Sequence, residues 1–436
     1  MIPAARPVLP RLRARRRRAR GGFTLVELLV SLVAGLLVSL AVVALSREAT
    51  YSFHEEMRSA TAEMSVRTAL DRLKADVQRA GYMATGNVLT DVHIPLDQRD
   101  GNHVPAGAPA NLANLAGINY HAKGSKTQTP LSSAGDNALE PDSIDLTGNF
   151  TSTDAYVVSR LAGGKGCAGP RLYFSMDSAA TYRVMTSSDP DATLRDMFQP
   201  VKGESFLVRI ADDLGRHEFV YGCKAQTAGW SKAEGAWVEL AASASYLEQA
   251  YGFVDGRITV NPVQTIRWEI RPLASSDTTY AAIATDPASG DGGVSKKYNL
   301  VRSWLSQDNT PIGPAEVVAE YAVDLKFAFT VDLGDYAGTA AAPDFRSFAF
   351  GADDNKTYVA GVTGTARPER VRAVRVRFSS RAAVPDRNED QRLEKNNYTI
   401  RYCLDESGCS SGSRSWARVR TATTEVALPN QARNFY

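Results

Sequence analysis

An apolar run near the start of the chain is long enough to cross a membrane. Phe23 to Leu45 contains Glu27 as its only ionisable side chain, and a spanning helix needs about 20 mostly apolar residues. From Ser46 to Ala80 neither Pro nor Gly occurs, and Gly81 supplies a stop signal. The pattern therefore predicts one helix over residues 23–80, with its membrane half first.

The second half of this helix carries two apolar stripes at helical spacing. The first is formed by Phe53, Met57, Ala60 and Met64, and the second by Val66, Leu70, Leu73, Val77 and Ala80. The step from Met64 to Leu70 turns the second stripe by roughly 120° from the first. We expect the first stripe to pack against neighbouring helices and the second against this chain's own globular part. Glu63 with Arg67 and Asp76 with Arg79 have the spacing of ordinary ion pairs on a solvated face.

Beyond the helix the pattern changes to loops and short strands. Residues 81–141 are rich in Gly, Pro, Asn and Ala, which predicts a loop-rich insertion. Later segments have strand character, and Thr265 to Ile270 alternates with the period of two that suits a half-buried strand. The stretch "VRAVRVRF" alternates Val or Ala with Arg, which predicts one buried and one strongly cationic face. We expect an α+β fold in which the N-terminal helix carries a large antiparallel β-rich head, residues 81–436.

Charge around the apolar run indicates its orientation. The 22 residues before Phe23 contain eight arginines and no acidic residue, so they are expected to stay on the cytoplasmic side. A secretory signal peptide has its small-residue cleavage site after the apolar run, whereas Gly21 and Gly22 precede it here. An ionised Glu27 inside hydrocarbon is costly and calls for a partner.

This order of segments, with the sequence Gly22-Phe23-Thr24-Leu25-Val26-Glu27, closely resembles the signal of type IV prepilins and pseudopilins. The resemblance implies a leader over residues 1–22 and cleavage by a prepilin peptidase between Gly22 and Phe23. It also implies N-methylation of Phe23 and a mature helix over residues 23–80. The Phe23 ammonium is then the cation for Glu27, between subunits staggered by one turn, so that Glu27 sets subunit register. The alternative is a signal-anchor helix with an incidental glutamate.

Segments of the head resemble the PilW-type minor pilins and, more distantly, the large J-type pseudopilin of type II secretion. They are "RAGY" at the end of the helix, "VVAEYAVDLKFAF", "VRAVRVRFSSR" and the terminal "RTATTEVALPNQARN". The chain departs from the family's usual ending, because "PNQA" precedes Arg433 and Asn434. Its middle region is also long for this family.

Removal of the leader changes the charge balance. The chain has 50 Lys and Arg against 48 Asp and Glu, and loss of eight leader arginines leaves 42 against 48, near −6. Net charge therefore does not support a nucleic-acid partner.

Four cysteines lie outside the predicted span, and an even number in an oxidising compartment suggests disulfides. Cys403 and Cys409 flank the turn-like "LDESG" between two strands, so we expect that pair, and Cys167 with Cys223 follows by elimination. The other connectivities and free buried thiols remain alternatives.

Residues for catalysis or metal binding are sparse. His93, His103 and His121 share the loop-rich region, where a metal site is conceivable and exposed loop histidines are the simpler interpretation. "LAGGKGCAGP" lacks P-loop spacing. Calcium could bind aspartates in "DPASGDGG" or "GADDNKTY", but neither has the EF-hand register, and turn chemistry explains these residues equally well. We expect no cofactor, no metal and no enzymatic activity.

The resemblance implies a minor pilin that helps prime type IV pilus assembly at or near the tip and supports twitching motility and adhesion. A type II secretion pseudopilin and a tip-located module that binds a surface or DNA are the alternatives. Expected partners are the prepilin peptidase, other minor pilins, the major pilin and a tip adhesin. The expected location is the inner membrane of a Gram-negative bacterium, with a periplasmic head, and then the pilus.

Overall fold

A computed structural model describes most of the chain. The described residues are 23–94, 108–124, 139–241, 258–273, 279–280, 283, 297–334, 342–385, 394–395, 398–399, 401–404 and 416–432. The chain divides into two compact units, Met1–Met57 and Arg58–Tyr436. The fold is α+β, as the sequence predicted, because a long apolar N-terminal helix precedes a large antiparallel β-rich part.

The N-terminal helix, α1, spans Leu25–Gln78. It is two residues shorter at each end than predicted, which is the usual uncertainty of helix boundaries. Gly81 has φ +74°, a left-handed conformation that glycine adopts without a Cβ penalty. Its N–H donates to the Thr147 carbonyl at 2.8 Å, so the turn that ends α1 is attached directly to the sheet.

The remaining helices are short. They are α2 (Ala110–Ala113), α3 (Ala179–Met185), α4 (Pro190–Phe198), α5 (Asp353–Val359), a 3₁₀ helix (Pro368–Arg370) and α6 (Pro429–Ala432).

The strands of the described residues run from β1 to β18. They are β1 (Ile118–His121), β2 (Ser143–Gly148), β3 (Tyr156–Ala162), β4 (Arg171–Phe174), β5 (Leu207–Ala211), β6 (His217–Tyr221), β7 (Ala228–Ser231), β8 (Gly235–Glu239), β9 (Thr259–Arg271), β10 (Asn299–Leu305), β11 (Pro311–Ala319), β12 (Ala322–Asp332), β13 (Phe345–Ser347), β14 (Val371–Arg381), β15 (Glu394–Lys395), β16 (Tyr398–Thr399), β17 (Arg401–Cys403) and β18 (Trp416–Ala427).

The larger sheet is organised around β9. Its path is β1-β2-β9-β3-β4-β8-β7, and β5 and β10 also pair with β9, each extended by a hairpin partner, β6 or β11. The first half of β9 pairs with β3 and β5, and the second half with β2 and β10. All of these pairings are antiparallel, so one 13-residue strand connects four others.

A second sheet has the order β13-β12-β14-β18-β17. Its central strands place apolar side chains opposite one another, with Phe327 across from Val376 and Phe329 across from Val374. These side chains are fully buried. The "PNQA" segment that departs from the family's usual ending forms α6, directly after β18, whereas Arg433 and Asn434 lie outside the described residues.

The second stripe of α1 enters the main core, as predicted. Val66, Leu73 and Val77 are at most 1% exposed. They belong to one apolar cluster with strands of both sheets, among them β9 through Trp268 and β14 through Val374. A separate core lies between β3, β4, β8 and the helices α3 and α4.

The first stripe of α1 remains exposed in the single chain. Phe53, Met57 and Met64 have exposed fractions of 59, 52 and 69%. The contrast with the second stripe agrees with a change of face between Met64 and Leu70. The packing of the first stripe on neighbouring helices stays a prediction.

The described part of residues 81–141 combines turns with two short regular elements. It contains α2 and β1, and β1 pairs along its length with β2. Val88, Leu115, Ile118 and Tyr120 are each at most 2% exposed. The sequence did not predict that these residues are buried, because the apolar residues of this Gly- and Asn-rich region are too few and too scattered to show a period.

Two expectations about sheet faces were wrong. Thr265 to Ile270 is not half-buried, because Thr265 and Glu269 on the second face are also covered, at 5 and 4% exposed. The arginines of β14 do not form a strongly cationic solvent face either. Arg377 is 8% exposed and donates to Asp324 Oδ2 at 3.1 Å, and Arg375 donates to the Phe348 carbonyl. The segment around β13 covers that face, which the alternation of "VRAVRVRF" alone does not reveal.

We predict that Leu73→Ala lowers the free energy of unfolding of the full chain by about 2–5 kcal/mol, because it leaves a cavity in the main core. Met64→Ala, on the exposed stripe of the same helix, should change it by less than about 0.5 kcal/mol. Urea unfolding of the detergent-solubilised chain measures both values. Equal destabilisation by the two changes would contradict the division into a buried and an exposed stripe.

An ion pair on the covered face of the larger sheet links β2 to β9. Arg267 Nε and Nη2 donate to the two oxygens of Asp145 at 2.7 and 2.8 Å, and His121 Nε2 lies 2.8 Å from Asp145 Oδ2. Burial acts to raise the pKa of the Asp145 carboxyl, but the hydrogen bonds and charges of Arg267 and His121 outweigh it and hold that pKa below its ordinary value.

This lowered pKa predicts how stability depends on pH. An unfolded Asp has a pKa of about 3.9, so the Asp145 carboxylate stabilises the fold above that pH and loses its effect as pH falls towards the lower, folded value. The stability difference between the wild type and Asp145→Asn should shrink as the pH falls below about 4. Urea titrations from neutral to acidic pH test this, and a difference that does not change with pH would contradict it.

Candidate functional site

The first turn of α1 forms a closed hydrogen-bond ring between Thr24 and Glu27. The Thr24 N–H and hydroxyl each donate to Glu27 Oε2 at 3.0 Å, and the Glu27 N–H donates to Thr24 Oγ1 at 3.3 Å. This arrangement is a capping box, in which a Thr and a Glu three residues later satisfy each other's backbone donors. Glu27 therefore has a partner in its own chain before any neighbour arrives.

The residues of the expected processing point lie just before this ring. Phe23 is 82% exposed, and Gly22 and the arginine leader lie outside the described residues. Cleavage between Gly22 and Phe23 would leave the new amine one residue before Thr24, close in sequence to the capping box. Cleavage, methylation and the role of Glu27 in register stay predictions.

The apolar half of α1 has the surface that lipid or other apolar helices require. By length and composition α1 can cross a membrane, and its large apolar side chains up to Leu45 are exposed. Its polar groups are satisfied internally, since the Ser31 hydroxyl donates to the Leu28 carbonyl and the Ser39 hydroxyl to the Gly35 carbonyl. Such bonds to the preceding turn allow serine to lie in hydrocarbon without an unpaired donor.

An ionic cluster, buried at Asp76 and Arg302 and exposed at Arg72 and Glu316, attaches the second half of α1 to the larger sheet. Asp76, 3% exposed, accepts from Arg302 Nε at 2.7 Å and from Trp268 Nε1 at 3.2 Å. Glu316 on β11 accepts from Arg72 at 3.2 Å through two nitrogens and lies 3.4 Å from Arg302 Nη1. Two α1 side chains, Asp76 and Arg72, thus contact three strands, β9, β10 and β11.

This cluster corrects one prediction. Asp76 and Arg79 do not form a pair on the solvated face, because Asp76 points into the core and Arg79 Nη1 donates to the Phe150 carbonyl at 2.9 Å. Glu63 and Arg67 do form the expected exposed pair. Sequence spacing could not separate the two cases, since the true partner of Asp76 is 226 residues away.

A disulfide joins Cys167 to Cys223, with the two Cα atoms 5.8 Å apart. The glycine-rich loop before it wraps around a carboxylate of the chain itself. The N–H groups of Lys165, Gly166 and Cys167 donate to Glu239 Oε1 at 2.9, 2.5 and 2.7 Å. These backbone N–H groups therefore bind the Glu239 carboxylate of the same chain and are not available to an external anion. The expected Cys403–Cys409 bond lies outside the described residues, because Cys409 does.

Three histidines of the described residues, His93, His121 and His217, contact carboxylates. His121 contacts Asp145, and His93 and His217 both approach Asp91, at 3.4 and 3.2 Å. His103 lies outside the described residues. Within the described part of the chain, no group of three or more His, Cys, Asp or Glu side chains is arranged to hold a metal ion.

Comparison with known proteins supports the reading of the N-terminus. The family model of the prokaryotic N-terminal methylation motif matches residues 17–43, which include Gly22, Phe23 and the capping box. No curated protein and no solved structure matches the chain. The motif indicates a type IV pilin-like or pseudopilin-like protein, implies processing by a prepilin peptidase and assembly with other pilins, and fits anchoring in the inner membrane before assembly.

Sequence reasoning missed two parts of this site. Thr24 is the first residue of a Thr-x-x-Glu signature directly before an apolar run, and this signature indicates a capping box. From the sequence we instead assigned Glu27 only a partner in a neighbouring subunit. The cluster of Asp76, Arg302 and Glu316 has no local signature, because its members lie on elements far apart in the chain.

Removal of the Asp76 charge should weaken the attachment of α1. Asp76→Asn leaves Arg302 buried with only the longer contact to Glu316, and loss of one partner of a buried ion pair costs about 3 kcal/mol or more. We expect that loss in the urea unfolding free energy of the full chain. Asp71→Asn, exposed on the same helix, is the matched control, and a similar loss in both variants would contradict the assigned role.

Proposed function

We propose that the protein is a minor pilin that helps prime type IV pilus assembly and sits at or near the pilus tip. The prepilin motif on an exposed apolar helix is the observation that carries this proposal. The head adds support, because residues from Arg58 onward form a single large unit. A large head suits a specialised subunit better than one repeated along a shaft.

A PilW-type assignment gains support from where the resembling segments lie. "VVAEYAVDLKFAF" contains the end of β11 and most of β12, "VRAVRVRFSSR" is β14, and the terminal segment contains most of β18. The strands β12, β14 and β18 are adjacent in one sheet. "RAGY" forms the exit of α1, where Asn430 of the terminal segment donates to the Gln78 carbonyl at 2.7 Å. The segments that carry the resemblance thus form one continuous region.

In this proposal the protein acts by non-covalent assembly and has no enzymatic activity. The exposed stripe with Phe53, Met57 and Met64 packs against helices of other pilins, which removes apolar surface from water or lipid. Glu27 meets the Phe23 ammonium of a neighbouring subunit and so reports correct register. The capping box keeps the carboxylate hydrogen-bonded until that contact forms. The protein supports twitching motility and adhesion, with a tip adhesin among its partners.

A type II secretion pseudopilin is the second candidate, because the same N-terminal motif serves both classes of protein. In either case we propose that the head faces the periplasm of a Gram-negative bacterium before assembly. A tip-located module that binds a surface or DNA is compatible with the large head, and would add ligand binding to the first role.

Gene deletion separates these functions. We expect deletion to abolish or sharply reduce sheared surface pili while secretion of exoproteins in the same cultures stays normal. Glu27→Ala should fail to restore pili, and Glu48→Ala, an exposed glutamate further along α1, should restore them. Normal pili with blocked secretion would instead assign the protein to the pseudopilins, and normal pili with normal secretion would exclude both roles.

A further inference from the structure

Two adjoining cavities lie at the C-terminal end of α1, next to Gln78 and Arg79. The larger, about 720 Å³, is lined by Gln78, Arg79, Tyr82, Thr153, Arg372, Ala427, Leu428, Pro429 and Asn430. The smaller, about 350 Å³, is lined by Arg79, Thr151, Ser152, Thr153, Asp154, Arg183, Val184, Thr193 and Met197. Arg79 and Thr153 belong to both, so the cavities share a wall. Their sizes are in the range of specific ligand sites.

The charged side chains of the larger cavity are both arginines, and one of them, Arg372, forms an ion pair with Asp332 outside the lining, with Nη2 3.7 Å from Oδ2. The lining contains Arg79 and Arg372 and no Asp or Glu. Arg372 is already engaged, with Nη1 donating to the Glu369 carbonyl at 3.0 Å. Arg79 Nη1 donates to the Phe150 carbonyl. Its Nε and Nη2 have no hydrogen-bond partner among the described residues. Arg79 is therefore an available guanidinium between the two cavities, suited to a carboxylate.

The rest of the larger cavity is apolar. Leu428, Pro429 and Ala427 form one wall. The Tyr82 hydroxyl is tied to the Thr153 carbonyl at 3.0 Å, which fixes the aromatic ring in the lining. In the smaller cavity Arg183 is paired with Asp154, so this arginine is not available to a ligand. Apart from Arg79, the other polar groups of that cavity's lining are hydroxyls of serine and threonine. A ligand that fits both has an apolar side chain beside one carboxylate.

The exposed face of α1 leads to this opening. Met64, Asp71, Ala75 and Gln78 are all exposed and lie within about 60° of one another at about 100° per residue. Gln78 lines the larger cavity. A polypeptide that packs along this face of the helix therefore arrives at the cavity, whereas one on the opposite face meets the head's own core.

We propose that the two cavities bind an extended segment of a neighbouring pilin subunit that carries an apolar side chain beside an Asp or Glu. The apolar side chain occupies the larger cavity and the carboxylate binds Arg79. The identity of the partner as a pilin rests on the proposed function, whereas the ligand chemistry rests on the cavity alone.

Capped tripeptides test the chemistry on the full chain in dodecyl maltoside. Saturation-transfer difference NMR, with empty micelles as the blank, compares acetyl-Phe-Gly-Asp-amide with acetyl-Phe-Gly-Asn-amide and acetyl-Ala-Gly-Asp-amide. We expect the first peptide to saturate and the other two to bind at least about tenfold more weakly, since each lacks one of the two recognised groups. Equal binding of all three, or binding of none, overturns the proposal.

Variants locate the site. Arg79→Gln should weaken acetyl-Phe-Gly-Asp-amide by about tenfold or more, and Ala427→Trp should abolish binding by filling the apolar part. Arg67→Gln changes the same residue type on the exposed face of the same helix and should have no effect. Thermal unfolding checks that each variant is folded. Unchanged binding in folded Arg79→Gln overturns the assignment of the carboxylate site.

Pilus counts distinguish this inference from the proposed function. If deletion abolishes pili and Arg79→Gln also lowers them while Arg67→Gln does not, the pilin segment is supported as occupant. If deletion abolishes pili but Arg79→Gln leaves them at the wild-type level, the proposed function stands and the neighbouring-subunit inference fails. If deletion leaves pili unchanged, the proposed function fails, and with it the pilin as occupant.

Discussion

The face of α1 that carries Val66, Leu73 and Val77 joins the two sheets, because its side chains enter a core that strands of both sheets share. A helix surrounded in this way could still slide or rotate, since apolar contacts are not directional. The Asp76 carboxylate restricts that freedom. It must meet Arg302 and Trp268 in a core that excludes water, and an unpaired charge there is costly. Apolar burial thus supplies the attachment of the helix, and this ion pair is one of the directional contacts that fix its register, together with Arg72–Glu316 and Arg79–Phe150.

The sequence predicted those features that depend on neighbouring residues. The helix bounds, the turn of the stripe after Met64, most strands of the head and the N-terminal motif all follow from local periodicity or short signatures. The failures share a cause. Asp76, the arginines of β14 and the second face of β9 were each judged from their own segment, whereas their surroundings are set by residues tens to hundreds of positions away. Local spacing cannot tell a buried ion from a solvated one.

The sequence likewise predicted only those parts of the candidate site that depend on neighbouring residues. Gly22, Phe23 and Glu27 could be identified from the sequence because the methylation motif is a contiguous stretch of chain. The cavities at the exit of α1 are not, because Arg79 and Thr153 come together with Leu428 only when the last strand is in place. A motif can therefore indicate how such a protein is processed and anchored, whereas a surface built from distant segments can be identified only from the fold.

The position of α1 in the chain has a consequence for biosynthesis. The helix is made first, but the core that its buried side joins also includes side chains of β12, β14 and β18, which lie in the last third of the sequence. During synthesis the stripe from Val66 to Val77 is therefore made long before the last strands of its core. Contacts of such long sequence separation form slowly, and exposed apolar surface favours aggregation in the interval. If the adjoining apolar half of α1 is held in a bilayer, that stripe is tethered to the membrane, and encounters with other unfinished chains are limited to two dimensions.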